Sequence, residues 1–370
     1  MPDRCKLRVA IALLCFAVAA CAGEERAAPT FHTEETPDAL SAWGMVLADD
    51  HQLVVNDGVT PYDLATPLFS DYALKLRTVW LPDGETATYQ ENEAFDFPVG
   101  AVVTKTFYFP KQGDAVAVGE APPLSSKNIS LDDYRLIETR VLVRRADGWT
   151  AFPYVWNDDQ TDAFLQRTGD IKPMTLARGE EQTQFVYLVP NQNQCAACHA
   201  TNAATRAVKP IGLKARHLNK QSDYSPGFNQ LDHWIASGLL TASDVGAAPA
   251  NAVWTDETAP LAARARAYLD INCSHCHNPD GAADTSGLNL EPDAEGAALG
   301  VCKPPIAAGG GTGGRRYGVA PGDPDGSIAL FRMETIDPAA MMPELGRATA
   351  HDEGVALIRA WIAEMDGACG

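Results

Sequence analysis

Two copies of a short cysteine and histidine motif are the residues of this chain whose types and spacing could do chemistry. The motif Cys-x-x-Cys-His stands at residues 195–199 and again at 273–277. In each copy, two thiols can form thioethers with the vinyl groups of one haem, and the imidazole that follows can bind its iron. We therefore predict two covalently bound c-type haems (haem c). The predicted attachment residues are Cys195, Cys198, Cys273 and Cys276, and the predicted iron ligands are His199 and His277.

Two other uses of paired cysteines match the pattern less well. A zinc ribbon with four cysteines separates its two pairs by roughly 15–20 residues, whereas residues 199–272 lie between the two cysteine pairs of this chain. A thioredoxin-like redox pair needs a βαβ context, and it does not require a histidine after its second cysteine. Haem attachment is the interpretation that uses all three residues of each motif.

A methionine beside a proline is the candidate sixth ligand of the second haem. Met341, Met342 and Pro343 precede the last predicted helix, and a Met-Pro turn can hold a thioether over the iron. Met342 is the predicted ligand, Met341 the alternative and Met333 the third choice. A thioether ligand would stabilise ferrous iron and raise the reduction potential.

The sixth ligand of the first haem stays open, because residues 200–332 contain no methionine. His217 could bind from downstream, Met174 could bind from upstream, or the position could be empty. His233 falls opposite the apolar stripe of a predicted helix, so we expect it to face solvent. Two histidine ligands would lower the potential relative to His/Met ligation, whereas an empty position could bind peroxide or another small ligand.

A serine, an aspartate and a tyrosine follow each other at Ser70, Asp71 and Tyr72, a combination that can suggest a catalytic site. No histidine stands nearby in the sequence, and the glycines of a nucleophile elbow are missing. We therefore interpret residues 64–73 as a structural loop.

The elements around the motifs predict a multidomain α+β fold. Between residues 39 and 188, alternating stretches such as 74–80 predict an antiparallel β-rich domain, either a sandwich or a barrel. Residues 189–250 and 251–370 are predicted to form two mainly α-helical haem modules, the second like a small cytochrome c.

Two helices should enclose the second haem. Apolar stripes at 261–269 and 355–365 predict helices that cross and close the haem pocket. Residues 349–352 resemble a capping box at the start of the second of these helices.

The first residues have the pattern of an export signal. A cationic start, an apolar stretch too short to span a bilayer and a run of small residues occupy positions 1–20. Residues 18–21 resemble a bacterial lipobox, so Cys21 would carry lipid and residues 21–38 would form a tether. The predicted location is the periplasmic side of the outer membrane, where the lipid anchor would be the only contact with the membrane. The alternative is a soluble protein of the periplasm.

Two cysteines remain once the signal, lipid and haem cysteines are assigned. Cys302 and Cys369 would meet an oxidising compartment, where they either pair or stay as buried thiols. The sequence leaves both possibilities open, since it does not give the distance between their Cα atoms.

The charge balance points to a class of partner. The chain carries a formal net charge of −19 at pH 7. Such a surface repels nucleic acid and anionic lipid headgroups, and it attracts cationic molecules. The predicted partners are therefore periplasmic or outer-membrane redox proteins, basic ones among them.

Together these stretches resemble a family of bacterial dihaem c-type cytochromes that are exported or lipid-anchored and whose physiological role is undetermined. The resemblance rests on residues 61–73, 97–100, 189–199 and 321–346. It implies a redox role, and it brings no established substrate.

Three functions follow from these predictions. The first is transfer of single electrons between periplasmic or outer-membrane partners through two haems. The second is a dihaem enzyme of the peroxidase type, in which the haem at residues 195–199 has an empty sixth position. The third is a module that binds a partner or a polymer and carries haems. The sequence favours electron transfer and leaves open whether the protein is an enzyme.

Overall fold

The computed structural model describes residues 27–122, 128–242, 245–306 and 308–370. The predicted signal at 1–20, the predicted lipidation site Cys21 and the start of the predicted tether lie outside these ranges. Across the described ranges, no helix has both the length and the apolar character needed to cross a membrane.

Most of the regular structure is β. The strands are β1 (Val46–Asp49), β2 (Gln52–Val55), β3 (Thr60–Tyr62), β4 (Leu74–Trp80), β5 (Ala87–Thr88), β6 (Val102–Gln112), β7 (Ala115–Ala117), β8 (Asn128–Ser130), β9 (Tyr134–Arg145), β10 (Gly148–Trp156), β11 (Ala163–Leu165), β12 (Asp170–Arg178), β13 (Glu181–Val189) and β14 (Leu240–Thr241). The α-helices are α1 (Gln192–His199), α2 (Ala215–Leu218), α3 (Gln230–Ala236), α4 (Leu261–Leu269), α5 (Ile328–Glu334) and α6 (Asp352–Ala363).

A curled sheet of nine strands organises the molecule. Its main path runs β11, β10, β9, β6, β7, β12, β13, and β4 pairs with the other edge of β6 and with β3. Most neighbours are antiparallel, but β7 and β12 are parallel, so the sheet is mixed. The hairpin of β12 and β13 leads directly into α1, which places the first motif at the end of the sheet.

The central strands present two different faces because side chains alternate along a strand. On one face, Leu76, Val141 and Phe152 join the large apolar core with Trp43 and Tyr154. On the opposite face, Val103 and Leu142 pack with Cys195 of the first motif, and the charged side chains of Lys105 and Arg140 lie two residues further along the same strands.

This architecture shows that the predicted fold class is wrong. We expected an antiparallel sandwich or barrel followed by two mainly α-helical haem modules, but strands hold 28% of the residues and helices 19%, in a mixed sheet. The first haem segment, residues 189–250, has α-helices of 8, 4 and 7 residues. Helices this short cannot enclose a core among themselves.

The first segment buries its apolar residues against the sheet instead. Leu213, Leu231 and Trp234 share one core with Val79 and Leu142 of β4 and β9. The apolar core is therefore continuous across residue 189, where the sequence pattern changes.

The second segment has a core of its own. Helices α4 and α6 pack together through Ala265, Leu269, Ile358 and Ile362, which confirms the two predicted helices. The predicted capping box is wrong, because α6 has His351 as its N-cap without a side-chain cap, and the hydroxyl of Thr349 donates to Asp71.

A disulfide joins Cys302 to Cys369. It connects the long insertion that follows the second motif to the C-terminal segment beyond α6. Of the two possibilities that the sequence left open, the structure has the paired one.

Candidate functional site

The first motif lies on α1, whose start is fixed by a reciprocal cap. Asn191 accepts a hydrogen bond from the Gln194 amide at 2.8 Å, and its own amide donates to the Gln194 side chain at 2.9 Å. This capping box satisfies two amides that the first turn leaves unpaired. The helix then carries Cys195 and Cys198 three positions apart, which places both thiols on one side of it.

His199 has the hydrogen bonding of an iron ligand. Its Nδ1 lies 2.8 Å from the carbonyl oxygen of Lys209, which can only accept, so Nδ1 carries the proton and Nε2 keeps its lone pair. Burial lowers the pKa of His199 to about 4, so the ring is neutral at pH 7. A neutral imidazole with a free Nε2 is what haem iron requires.

The histidine of the second motif also carries its proton on Nδ1, but a different contact fixes it there. Helix α4 continues into a π-helical turn at Asp270–Ser274 that carries Cys273. The Nδ1 of His277 lies 3.1 Å from the hydroxyl of Ser286, which donates its own proton to the carbonyl of Ala283. The hydroxyl therefore accepts from Nδ1, and Nε2 of His277 is again free for iron.

One cavity contains the second motif and its predicted sixth ligand. It has a volume of about 370 Å³, within the range of about 300–1,000 Å³ usual for cofactor pockets. Cys273, Cys276, His277 and Met342 all line it. Most of the remaining wall is apolar, with Leu269, Leu290, Leu299, Val319, Ile328, Ile358 and Trp361 among the lining residues. Met333 also lines the cavity, whereas Met341 is buried beside it and is not among the lining residues.

Arg347 holds the loop that carries Met342. This buried guanidinium donates to the carbonyl oxygens of Met342 at 3.0 Å, Arg332 at 2.8 Å and Thr335 at 2.9 Å. The amide of Met342 in turn donates to Arg332 at 2.8 Å. Because Arg has five donors in a rigid fork, one side chain fixes several turns of backbone. No motif in the sequence points to this arginine.

Asp71 attaches the same loop to the sheet. One carboxylate oxygen accepts from the amides of Ala348 and Thr349, both at 2.7 Å, and from the Thr349 hydroxyl at 2.8 Å. Burial raises the pKa of Asp71, although these donors oppose the shift. Phe69, in the same loop, donates its amide to the Asn272 side chain at 2.8 Å, next to Cys273. Residues 64–73 therefore join the sheet to the Met342 loop and to the second motif, and they brace the second site.

The two motifs meet at their second cysteines. The thiol of Cys276 lies 3.6 Å from the carbonyl oxygen of Ala197, and Ala197 and Cys198 line the same cavity as the second motif. The neighbouring Cys276 thiol lowers the pKa of Cys198, and the same proximity raises the pKa of Cys276. His275 lies at this junction, 8% exposed, and among the described residues its Nδ1 has no hydrogen-bond partner.

A buried polar network connects the two segments behind the motifs. Arg216 and Asp270 form a bidentate pair with distances of 2.7 and 3.0 Å. Asn251 at 2.7 Å and the Ser274 hydroxyl at 2.8 Å complete the carboxylate's shell. Burial alone would raise the pKa of Asp270, but the hydrogen bonds from Arg216 and the nearby charges hold it well below its usual range. Nothing in the spacing of these residues could have revealed the pair, since they come from different segments.

His217 belongs to this network, which argues against it as the sixth ligand of the first haem. Its Nδ1 lies 3.3 Å from the Asn251 amide nitrogen, and its Nε2 lies 3.7 Å from the Asp270 carboxylate. An Nδ1 that accepts leaves the proton on Nε2, so no lone pair remains for iron. Met174 packs in a separate core with Phe185. His233 is half-buried, with Nε2 3.3 Å from the Ser225 hydroxyl.

In the part of the chain that the structure describes, no group of three or more His, Cys, Asp or Glu side chains surrounds a common point. A haem iron needs two axial protein ligands at most, because the porphyrin supplies the other four. Comparison of the chain with protein-family models, with curated proteins and with solved structures gives no match.

Proposed function

We propose that this protein is an exported dihaem c-type cytochrome that transfers single electrons between redox partners. The observation that carries the proposal is the meeting of the two Cys-x-x-Cys-His motifs at one apolar cavity, where Cys198 and Cys276 both line the wall and the Cys276 thiol lies 3.6 Å from the Ala197 carbonyl oxygen. Haem bound there supplies a one-electron couple between ferric and ferrous iron.

The chain's own residues would set the properties of the second site. His277 and Met342 both line the cavity. An imidazole ligand from His277 and a thioether ligand from Met342 would favour the ferrous state, because the thioether is a soft ligand. Leucine, isoleucine and tryptophan side chains exclude water from the cavity, which also favours the less charged ferrous form. Arg347 and Asp71 fix the backbone from which Met342 reaches inward.

The spacing of the motifs favours electron exchange within the molecule. With haem attached, Cys198 and Cys276 would each hold a macrocycle, and because both cysteines line one cavity the two haems would lie close together. Basic periplasmic or outer-membrane redox proteins are the proposed partners, because the chain's net charge is −19. Export and lipidation at Cys21 are part of the same proposal.

Haem content is the decisive test of this proposal. The full chain should be produced in a cell with a working haem-attachment system, and haem per polypeptide should be measured after acid extraction. We expect two covalent haems in the natural chain, one in C195A/C198A and one in C273A/C276A. C302A/C369A is the matched control, and it should keep both. A colourless protein, or one that carries zinc, would refute the proposal.

A peroxidase-type enzyme is the second candidate function, and one observation favours it. His217 is held by Asn251 and Asp270, and Met174 packs in another core, so neither predicted ligand is placed for the first haem. An empty sixth position would bind cyanide or peroxide. Two low-spin haems whose spectra are unchanged by cyanide would eliminate this candidate, whereas a high-spin component that responds to cyanide would support it.

A further inference from the structure

The charged face of the central sheet collects cations next to the first motif. In one cross-strand row, Lys75 of β4 stands opposite Phe107 of β6, which stands opposite Glu138 of β9. In the next row of the same face, Lys105 of β6 stands opposite Arg140 of β9. Directly opposed residues, and residues two apart in one strand, share a face of the sheet.

Three of these cations surround one aromatic ring. The Nζ of Lys75 lies 5.6 Å from the ring centre of Phe107, and the Nζ of Lys105 lies 5.1 Å from it. The guanidinium carbon of Arg140 lies 4.3 Å from the same centre. The ring offers each cation a weak attraction, but like charges at this separation repel one another.

Lys75, Lys105 and Arg140, which we call the cation cluster, have incomplete counter-charges. Arg140 pairs with Glu138 at 2.5 and 2.9 Å, and Glu138 also accepts from the Tyr187 hydroxyl at 2.8 Å. Lys75 donates to the carbonyl of Ala73 at 2.7 Å, which carries no charge. In the described part of the chain, Lys105 has neither an ion pair nor a hydrogen bond at Nζ.

A bound anion would reduce the electrostatic repulsion around both lysines. Their side chains are half-buried. Burial is the largest cause that lowers their pKa, to about 7 for Lys105, and neighbouring cations lower it further. A bound anion would favour the charged form of both amines.

The cation cluster lies beside the first motif. Cys195 packs with Val103 of β6 and Leu142 of β9, and Lys105 and Arg140 lie two residues further along these strands on the same face. A chain whose overall charge is −19 therefore concentrates cations at one of its two haem motifs.

We propose that Lys75, Lys105 and Arg140 form a binding site for a carboxylate beside the first motif. The carboxylate has two possible sources: a propionate of the haem held by Cys195 and Cys198, or a free small carboxylate that binds the cation cluster. The first source rests on the proposed function, and the second does not.

The test uses the full chain with its haems and the variants Lys105→Gln and Lys75→Gln, which remove charge and keep length. Lys105→Met is a second neutral variant in case the amide folds poorly. Lys172→Gln is the matched control, because Lys172 lies on β12 and pairs with Asp170 at 3.3 Å. Two quantities are measured for each protein: the affinity for formate by calorimetry, and the midpoint potential of each haem.

A propionate bound by the cation cluster would make the natural chain insensitive to formate. In that case the Lys75 and Lys105 variants should lower the potential of one haem and leave the other unchanged, because loss of a nearby cation favours ferric iron. A free carboxylate would instead appear as saturable formate binding that weakens at least tenfold in Lys75→Gln and Lys105→Gln and is unchanged in Lys172→Gln. Absence of formate binding together with unchanged potentials in every Lys75 and Lys105 variant would overturn the proposal. Haem content, measured on the same samples, separates this result from a failure of the proposed function.

Discussion

The two Cys-x-x-Cys-His motifs share their cysteines and their histidine and have very different surroundings. The second lies in a segment whose helices α4 and α6 share a core, and its histidine and predicted methionine line one apolar cavity. The first lies on a short helix against a sheet, where Cys195 packs with Val103 and Leu142 and where lysine, arginine and glutamate side chains lie further along the same face. The same five-residue pattern therefore stands in two environments, and the fold around each copy sets the polarity and the side chains available there.

Removal of the second site's methionine should have the largest effect on this contrast. Met342→Ala is expected to abolish the absorption band due to Met–iron charge transfer and to lower the potential of that haem, because the soft ligand is lost. Met341→Ala is the control, since Met341 is buried beside the cavity and does not line it. A band that survives in Met342→Ala and disappears in Met341→Ala would show that the alternative ligand is the right one.

Asp270 tests whether the two segments depend on one another. Asp270→Asn leaves the buried guanidinium of Arg216 without its counter-charge, which should cost about 3–5 kcal/mol of the free energy of unfolding. Denaturant unfolding followed by circular dichroism measures this loss. Asp293→Asn, an exposed change in the same segment, should be neutral. If Asp270→Asn unfolds like the natural chain, the network does not hold the segments together.

The same carboxylate predicts a dependence on acid. The pKa of Asp270 is depressed in the folded protein, so its contribution is fully present above the unfolded value of about 3.9 and is lost as the pH falls further. Unfolding midpoints between pH 3 and pH 7 should therefore show an acid-dependent loss, roughly below pH 4, that Asp270→Asn lacks. Parallel curves for the two proteins would contradict this.

Arg347 should have a smaller effect, confined to the second site. Arg347→Gln removes the guanidinium that donates to the carbonyls of Met342, Arg332 and Thr335, at a cost of about 1–3 kcal/mol in the free energy of unfolding. As a positioning residue it should also weaken the Met–iron band while the spectrum of the first haem stays the same. Arg359→Gln removes exposed ion pairs and is the control. Equal spectra for the two variants would show that the loop holds Met342 without Arg347.

His275 sharpens the comparison most finely, because it occupies the position that Ala197 has in the first motif. Its buried Nδ1 has no hydrogen-bond partner within the described ranges, so His275→Ala removes an unsatisfied group along with some packing, and the two effects oppose each other. We expect the free energy of unfolding to change by less than about 1 kcal/mol. Ser274→Ala, which removes a hydroxyl bonded to Asp270, should cost more. The opposite ranking would mean that His275 has a partner at the junction.

The local elements were predicted well where the pattern of side chains decides them. Strand β4 occupies the predicted residues, and the stripes at 261–269 and 355–365 coincide with α4 and α6 to within a few residues. The fold class was predicted wrongly, because short helices such as α2 and α3 find their apolar partners on the sheet. Periodicity shows that a face is apolar, and it does not show which element will cover it.

The sequence by itself determined the chemistry that is possible at residues 195–199 and 273–277, because the order of two thiols and an imidazole is a local property of the chain. It also determined Met342 as a candidate ligand through the adjacent proline. Tertiary structure alone decided that Cys198 meets Cys276, that His217 is occupied by Asn251 and Asp270, and that cations of three strands gather beside the first motif. These are contacts between residues far apart in the chain, and they depend on which strands pair and in which register, which no short stretch of sequence contains.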